Sequence, residues 1–441
     1  MLGVWHGSPV LVVGWAMAAC LGTRSWLVGA LCVLAGLGGG LVGSRAWSQV
    51  TPRALGEFSG WVQVVNDPAP IGSGLRVTVE IEGERFDAWL FGATRHRVQG
   101  RQSGEWLQVK GERRALGAHA RRSQVRHVVG RFEVEFIADW HVGSPLDRAN
   151  TRVRSALQRA AEAVMPVDQA ALFTGLVIGD DARQPEAMIQ QFRISGMSHL
   201  TAVSGQNVAF VLAASAPLLR RLRPWWRFGA SVGLIAWFMA LTRFEPSVLR
   251  AGSMAILAAS AFVGGRQRSP LRLLALAVTV LVFVDPLLVW SVGFWLSVCA
   301  TAGVCVVGPW LTARLPGPSW WRAGLGVTLG AQVGVALPSW LVFHRFPLVS
   351  LPANLLAVPV AGLVMLYGIP AGLLAAALPT VPAALVMAPV VLGTRWVAAV
   401  AAVAARVEPS PGWAWFGWGA VALVTTAMVR RSRRSRSGMA I

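Results

Sequence analysis

The stretch LPANLLAVPVAGLVMLYGIPAGLLAA occupies residues 351–376 and carries no charged side chain. A helix needs about 20 mostly apolar residues to cross the hydrocarbon core of a bilayer, so this stretch predicts a membrane span. Further apolar runs follow residue 198. Together they predict nine spans, near 199–219, 228–242, 247–264, 271–284, 287–308, 323–343, 351–376, 382–405 and 413–429.

The composition excludes a soluble protein folded around one core. Of the 441 residues, 54% are apolar and 14% are charged, against about 25% charged residues in soluble domains. Two earlier apolar runs, at 9–22 and 26–43, predict a transmembrane hairpin that turns at Arg24 and fills residues 1–43. The expected fold class is therefore a polytopic α-helical membrane protein with about 11 spans and one small β domain.

The distribution of charge predicts the orientation in the cytoplasmic membrane. The chain carries 40 Lys and Arg against 20 Asp and Glu, and its formal net charge is +20. Residues 44–198 are nearly balanced, because they hold all but three of the acidic side chains. Arginine groups follow every second predicted span, and basic connections stay in the cytoplasm. We therefore expect residues 44–198 outside the cell and the basic tail, 430–441, in the cytoplasm.

Residues 44–150 differ from the apolar runs on either side. Short β-branched stretches separated by glycines lie at 59–65, 74–82, 84–91, 104–110 and 124–137. Such stretches, bounded by turn residues, predict strands. Five short strands within this segment predict a small extracytoplasmic Greek-key barrel, with an OB-like fold as the favoured form.

The barrel segment also carries a basic cluster. Between residues 95 and 131 there are ten basic side chains and two acidic ones, Glu105 and Glu112. Clustering of this kind is typical of a polyanion-binding surface, but a solvated basic face or contact with lipid headgroups would give the same pattern. The candidate binding residues are Arg95, Arg97, Arg101, Lys110, Arg113, Arg114, Arg121, Arg122 and Arg126.

Residues 151–198 predict amphipathic, interfacial helices, since arginines alternate with apolar side chains in 151–165. The segment FRISGMSHLTAVSGQNV, residues 192–208, then brings polar groups into an apolar run, where an unsatisfied polar group is costly. On one continuous helix, at about 100° per residue, His199, Gln206 and Asn207 would share an arc of roughly 100°. This polar face indicates a pathway, although hydrogen bonds that only join helices remain the alternative.

An intramembrane hydrolase that uses His199 and Ser204 is a further alternative. On one helix these side chains would diverge by about 140°, and no acidic third member lies nearby. No nucleotide-binding P-loop is visible, and the spacing of the four cysteines implies neither a disulfide framework nor a metal site. We therefore expect a non-enzyme with no catalytic residue, no metal and no cofactor.

A series of short motifs runs through residues 175–359. It begins with GLVIGD at 175–180 and continues at Phe192, Arg193, Gly196, His199, Leu200, Ser204, Gly205, Arg250, Ala251, Asp285, Pro286, Gly293, Phe294, Trp295, Leu296, Ser297, Ala300, Gly303, Phe343, His344, Ala353, Asn354, Leu355, Leu356 and Pro359. In content and order the series resembles the competence domain of the ComEC-type DNA-uptake channel family. The predicted barrel also resembles that family's N-terminal domain.

The resemblance implies a membrane channel that moves single-stranded DNA into the cytoplasm during natural transformation, with residues 199–429 as the channel domain. The barrel's basic residues would then bind DNA. The path would be lined by His199, Ser204, Gly205, Gln206, Asn207, Arg250 and Asn354. Structural motif positions would be Arg193, Gly196, Glu245, Asp285, Gly293, Phe294 and Ser297.

The sequence departs from the family pattern in two places. Many relatives have a histidine in the SGxH position, where this chain has Gln206 and Asn207. Longer relatives append a metallo-β-lactamase-like domain with an HxHxDH motif. The sequence ends soon after its last predicted span, so we expect a short form, to which neither zinc nor nuclease activity carries over.

Physical alternatives remain open at single positions. Arg250 could contact phosphate, or it could pair with Glu245 or with a helix C-terminus. Asp285 precedes a proline, which predicts an N-cap with proline at the first helical position. Asn354 could cap a broken helix or line the path, and Arg193 could anchor the amphipathic region or contact the ligand.

The expected partners follow from the channel hypothesis. They are single-stranded DNA, membrane lipid, an external DNA receptor, a cytoplasmic helicase or ATPase that supplies energy, and a separate nuclease that degrades one strand. A homo-oligomer is left open. The competing hypothesis is a transporter of another anionic polymer or of an anionic metabolite.

Overall fold

The computed structural model describes residues 38–117, 120–201, 205–244, 246–263, 269–344 and 346–437. The predicted span at 9–22 and most of the one at 26–43 lie outside the described residues, as do Ser204 and Glu245. The chain divides into two compact units. The sheet unit comprises Met1–Arg152 with Val278–Phe294, and the helical unit comprises Val153–Ala277 with Trp295–Ile441.

The sheet unit is built on six strands: β1 (Gly56–Val64), β2 (Ala69–Ile71), β3 (Gly74–Ile81), β4 (Glu84–Leu90), β5 (Trp106–Ala115) and β6 (Val128–His141). Neighbours hydrogen-bond in the order β1-β5-β6-β4-β3-β2, and β1 also pairs with β3. The β4–β6 pairing is parallel and the others are antiparallel. All five predicted strands are confirmed near their expected positions. The three-residue β2 is too short to show an alternating pattern and was not predicted.

Alternation along β3 places one set of side chains in the sheet unit's core. Leu75, Val77, Val79 and Ile81 are each at most 6% exposed, and burial of such side chains stabilises a fold by roughly 1.5–3 kcal/mol each. The hairpin from β3 to β4 turns at Glu82 and Gly83, whose φ angles are 52° and 80°. A two-residue hairpin of this type requires positive φ at both positions, which is why a glycine follows the strand.

The helices are α1 (Gly92–Val98), α2 (Ala120–Gln124), α3 (Pro145–Val164), α4 (Val167–Ile178), α5 (Glu186–Ile194), α6 (Ser198–Thr201), α7 (Gly205–Leu219), α8 (Pro224–Leu241), α9 (Pro246–Val263), α10 (Pro270–Val284), α11 (Val292–Thr312), α12 (Ser319–Phe343), α13 (Ser350–Ala375), α14 (Thr380–Val407) and α15 (Pro411–Ser437). Residues 38–48 are also helical, and a 3-10 helix covers Pro286–Trp290.

Among the described residues, the four helices α11 to α14 are long and apolar enough to cross a membrane. α4, α7, the Ser247–Ser260 part of α9, and α10 are apolar but shorter. These helices point to a membrane protein. One boundary differs from prediction: α11 begins at Val292 rather than near residue 287, because Pro286–Trp290 forms the separate 3-10 helix. Leu287 is 1% exposed and belongs to the hydrophobic core of the sheet unit.

Two helices of the helical unit approach each other through glycines. A Cβ at Gly303 on α11 would overlap the carbonyl oxygen of Gly330 on α12, and a Cβ at Gly334 would overlap that of Cys299. Small residues at such spacing let helix backbones come close, which is how helices associate where lipid removes the hydrophobic driving force. These glycines therefore pack α11 against α12.

The amphipathic helix α3 packs its apolar side within the helical unit. Leu157, Ala160 and Ala161 are at most 4% exposed and belong to the main core cluster. Gly372 on α13 leaves room for Leu157, since a Cβ there would stand 2.6 Å from a methyl carbon of that leucine. The apolar face of this amphipathic helix thus packs against other helices of the helical unit.

Candidate functional site

Glycines set the chain direction around the motif segment of the helical unit. Gly179 has φ 69° and ends α4, donating its N–H to the carbonyl oxygens of Gly175 and Thr174. Gly196 has φ 70° between α5 and α6, and a Cβ there would lie 2.7 Å from the Cβ of Ser350. Both positions need a residue without a side chain. Gly179 and Gly196 are therefore explained by backbone geometry.

Asn207 lies in the interior of the helical unit. It is 2% exposed, and its Nδ2 donates to the carbonyl oxygen of Leu176 at 3.0 Å. That carbonyl is in the last turn of α4, where helical partners are lacking. Asn207 thus joins α7 to the end of α4. This contact corresponds to the alternative in which the polar groups only join helices and do not line a pathway. A role of Asn207 along the path stays a prediction.

The other polar residues of this segment have different surroundings. His199 is in α6 and exposed, while Gln206 in the first turn of α7 is also exposed. Residues 202–204 between these helices lie outside the described residues. The shared polar arc and the His199–Ser204 hydrolase hypothesis therefore remain predictions. Arg193 is exposed in the last turn of α5.

Arg250 on α9 is brought against Ser297 on α11, so that two separate motifs of the sequence meet. The guanidinium donates from Nε and Nη2 to Oγ of Ser297 at 3.0 and 2.6 Å, and its Nη1 lies 3.6 Å from Sδ of Met254. Arg250 is 6% exposed, and no carboxylate of the described residues forms an ion pair with it. Gly205 permits this crossing, since its Cβ would stand 2.9 Å from Nη2.

The proposed pairing of Arg250 with Glu245 involves a residue outside the described ones and stays a prediction. What the structure provides is a buried positive charge whose near neighbours are a hydroxyl and a thioether. Burying a charge is costly unless it is compensated. This guanidinium is therefore placed to attract an anion that reaches the interior.

Asn354 lies in the fifth position of α13, not at its cap. The N-cap of α13 is Val349, so the capping alternative for Asn354 is wrong. Asn354 is 7% exposed, and its Oδ1 has no hydrogen-bond partner among the described residues. One turn earlier, Ser350 accepts a 2.9 Å hydrogen bond from Nε2 of Gln332. An unsatisfied buried amide oxygen is unfavourable, so Asn354 remains a candidate for contact with water or cargo.

The structure confirms Asp285 as an N-cap with proline at the first helical position. Its Oδ1 accepts from the N–H of Leu287 at 3.0 Å, and its Oδ2 lies 3.0 Å from Nε2 of His127. The Arg121 guanidinium stacks on the ring of Trp290, 4.2 Å from its centroid. All of these residues belong to the sheet unit, so this motif tethers the 3-10 helix to the sheet. Gly293 and the fully buried Phe294 follow at the start of α11.

The basic cluster of the sheet unit is distributed over α1, β5, α2 and their flanking loops. Several members have carboxylate partners: Arg101 with Glu105 (3.8 Å), Arg113 with Glu82 (2.9 Å), Arg114 with Glu112 (2.7 Å) and Glu133 (2.8 Å), and Arg126 with Asp87 (3.5 Å). Arg95 donates to the carbonyl of Ser73. Lys110 and Arg122 are exposed. The charge excess is therefore partly neutralised within the unit.

Two of these arginines lie over exposed aromatic rings. The guanidinium of Arg97 is 5.1 Å from the ring centre of Phe136, and that of Arg101 is 3.6 Å from the ring centre of Trp140. Phe136 and Trp140 on β6 are 53% and 43% exposed. The prediction from sequence used charge alone and missed these aromatics, although Phe136 lies in the last predicted strand, 124–137, and Trp140 follows three residues after it.

Two acidic interactions of the helical unit were also missed. Arg154 is 7% exposed and pairs with Asp180 at 3.3 Å, while its Nη1 donates to the carbonyl of Leu241 at 3.2 Å. The carboxylate of Glu408 accepts from the N–H groups of Leu348 and Val349, both at 3.0 Å, where α13 begins. A carboxylate is favourable at a helix N-terminus.

No group of three or more His, Cys, Asp or Glu side chains within the described part of the chain could hold a metal ion. Cys299 and Cys305 are free thiols in α11.

Comparison with known proteins gives the relatives of this chain. No solved structure matches it. It is 30% identical over 220 residues to ComE operon protein 3 of Bacillus subtilis (strain 168), a match that covers 48% of this chain and 27% of the relative. It is 28% identical over 216 residues to the uncharacterized protein YcaI of Escherichia coli (strain K12), covering 44% and 28%. The chain thus spans under a third of the length of these relatives.

A family model provides the decisive match. The model described as Competence protein covers residues 176–434, which include the C-terminal end of α4, every helix from α5 to α14 and most of α15. The matched part contains the Arg250–Ser297 contact, Asn207 and Asn354. Since the match extends over more than half of the chain, the protein belongs to the competence protein (ComEC) family.

Proposed function

We propose that this protein is a membrane channel that moves single-stranded DNA into the cytoplasm. Family membership suggests a role in DNA uptake. The observation that carries the channel hypothesis is Arg250, a buried guanidinium held by the hydroxyl of Ser297 inside the matched region. A phosphate backbone crossing a bilayer needs a polar, weakly basic path, because many weak contacts allow passage where one strong site would trap the strand.

The path would be completed by other polar groups of the channel domain, 199–429. Asn354 offers an unsatisfied amide oxygen, and His199, Ser204, Gly205, Gln206 and Asn207 form the polar segment at its start. Asn207 would have to release the Leu176 carbonyl in the conducting state. We therefore assign the described arrangement to a closed state of the channel.

The sheet unit would collect the strand outside the cell. The circuit of pairings from β1 through β5, β6, β4 and β3 back to β1, with β4 parallel to β6, supports an OB-like barrel. Phe136 and Trp140 with Arg97 and Arg101 combine aromatic faces and cations, which is how OB-like domains bind single strands without sequence preference. The exposed Lys110 and Arg122 would add phosphate contacts.

The proposed arrangement in the membrane keeps about 11 spans, with the β domain (44–150) and interfacial helices (151–198) outside and the tail (430–441) in the cytoplasm. An external DNA receptor would deliver the substrate, a cytoplasmic helicase or ATPase would supply energy, and a separate nuclease would remove one strand. Association with membrane lipid follows from the apolar helices, and a homo-oligomer is compatible with the proposal.

The test is nuclease-protected uptake of end-labelled DNA in competent cells that lack the chromosomal copy of this protein. We expect the natural chain to restore uptake and Arg250→Gln to fail. The matched control is Arg314→Gln, a partly exposed arginine just after α11 whose guanidinium lies 4.5 Å from the ring centre of Trp310. Equal DNA uptake in the deletion strain and in the same strain complemented with the natural chain would refute the proposal.

A transporter of another anionic polymer or of an anionic metabolite is the second candidate. The internal carboxylate pairs of Arg101, Arg113 and Arg114 favour it, because they leave fewer cations for a long polyanion. Binding of an oligonucleotide to the full chain that weakens as salt is added would favour DNA as the cargo. No oligonucleotide binding at any salt concentration would favour the metabolite.

A further inference from the structure

An open groove of about 290 Å³ lies between α7, α8 and α9 of the helical unit. Its wall is mostly apolar and includes Leu212, Ala216, Ile235, Ala255 and Ala259. Arg220, which follows α7, and Arg227, in the first turn of α8, line the same groove. The groove therefore combines an apolar wall with two cations, and neither Arg250 nor Ser297 lines it.

Two tryptophans indicate the depth of the arginines in the membrane. Trp225 and Trp226, between Arg220 and Arg227 in sequence, are both 73% exposed. Exposed tryptophans on membrane helices sit preferentially at the headgroup level. The two arginines thus lie where the phosphate of a phospholipid would be, and the apolar wall extends from there along the helices.

The local charge is positive without acidic side chains nearby in the sequence. No Asp or Glu occurs between Glu186 and Glu245, whereas Arg220, Arg221, Arg223 and Arg227 follow one another in the α7–α8 connection. The first turn of α8 has no acidic residue, and its N-cap, Arg223, makes no capping hydrogen bond with its side chain. The N-terminal dipole of α8 adds to the attraction for an anion.

We propose that this groove binds an anionic phospholipid, with the phosphate between Arg220 and Arg227 and one acyl chain along the apolar wall. Basic pockets between membrane helices recognise anionic headgroups in this way. A soluble anion would gain nothing from the apolar wall, and a DNA strand would have to lie against it. The site is independent of the DNA-channel hypothesis and stands even if the cargo is another anion.

Binding of phosphatidylglycerol to the purified full chain, measured by native mass spectrometry against phosphatidylcholine, tests the site. We expect phosphatidylglycerol to bind more tightly than phosphatidylcholine. We expect the double variant Arg220→Gln/Arg227→Gln to weaken phosphatidylglycerol binding by about twenty-five-fold, since each surface arginine contributes roughly a factor of five. Ala259→Phe, which fills the apolar wall and keeps the charges, should weaken binding of the same lipid.

The matched control is Arg221→Gln/Arg223→Gln, which removes the same charge from the same connection at positions that do not line the groove. This control should keep its affinity for phosphatidylglycerol. Equal loss in both double variants would mean general surface attraction and would overturn the proposal. Equal affinity for the two lipids, or displacement of phosphatidylglycerol by millimolar inorganic phosphate with no effect of Ala259→Phe, would also overturn it.

Discussion

The sheet unit and the helical unit use arginine differently. In the sheet unit, Arg114 pairs with Glu112 and Glu133 at the surface, where water screens the charges. Among the described residues, the two buried arginines, Arg154 and Arg250, belong to the helical unit. Arg154 has a carboxylate partner in Asp180, whereas the near partner of Arg250 is the hydroxyl of Ser297.

The different partners of the two buried arginines indicate a structural role for one and a functional role for the other. Asp180 and two backbone carbonyls satisfy Arg154, so its charge is compensated and holds α3, α4 and the end of α8 together. A hydroxyl orients the guanidinium of Arg250 but does not neutralise it. We infer that Arg154 stabilises the fold and that Arg250 keeps its charge for an anion.

The largest effect is expected from Asp180→Asn. Removing one partner of a buried ion pair leaves the other charge uncompensated, which costs about 3–5 kcal/mol. Thermal unfolding of the detergent-solubilised chain would measure the loss. Asp168→Asn is the control, because Asp168 is an exposed acid in the first turn of α4. Equal stability of the two variants would show that the Arg154–Asp180 contact is not structural.

A smaller effect is expected from Ser297→Ala. The variant leaves a buried donor of Arg250 without its acceptor, at a cost of roughly 1–3 kcal/mol. We expect an unfolding temperature between those of the parent and of Asp180→Asn, together with slower DNA uptake. Thr301→Ala is a suitable control, since the Thr301 hydroxyl donates to the carbonyl of Ser297 within α11 and does not contact the Arg250 guanidinium in the described part of the chain. A loss as large as that of Asp180→Asn would remove the distinction between the two arginines.

The smallest effect is expected at Glu105 in the sheet unit. Burial of the carboxyl group, opposed by a backbone hydrogen bond and by Arg101, raises its pKa above the usual 4.5. The folded state therefore favours the protonated form, so this contribution to stability is present below pH 4.5 and is lost as pH rises through the raised pKa. We expect Glu105→Gln to flatten the pH dependence of unfolding in that window. Glu135 is exposed on β6, so Glu135→Gln is the control. A pH profile of Glu105→Gln that matches that of the parent would contradict the assignment.

The elements whose signals are local could be predicted from sequence. Short β-branched stretches bounded by glycines located five strands, and Asp285 before Pro286 identified an N-cap that the structure confirms. Apolar length located the helices, although composition could not show that Leu287 joins the core of the sheet unit. An apolar side chain is found in such a run whether it faces lipid or protein, so the sequence does not distinguish the two environments of Leu287.

The contacts between distant residues were beyond sequence reasoning. Arg154 falls on the same helical face as Leu157 and Ala161, which could have indicated its burial. Its partner Asp180 could not be identified, because any of several acids in 151–198 fits the spacing equally well. The Arg250–Ser297 contact likewise joins two motifs that the sequence predicts as separate.

Photocrosslinking of a strand in transit would test the central claim most directly. Labelled DNA carrying 4-thiothymidine would be irradiated during uptake, and crosslinked peptides of the unmodified chain identified by mass spectrometry. We predict crosslinks on α9 and α11, at peptides that contain Arg250 or Ser297. Uptake that proceeds with crosslinks in the sheet unit alone, and none on these two helices, would contradict the account.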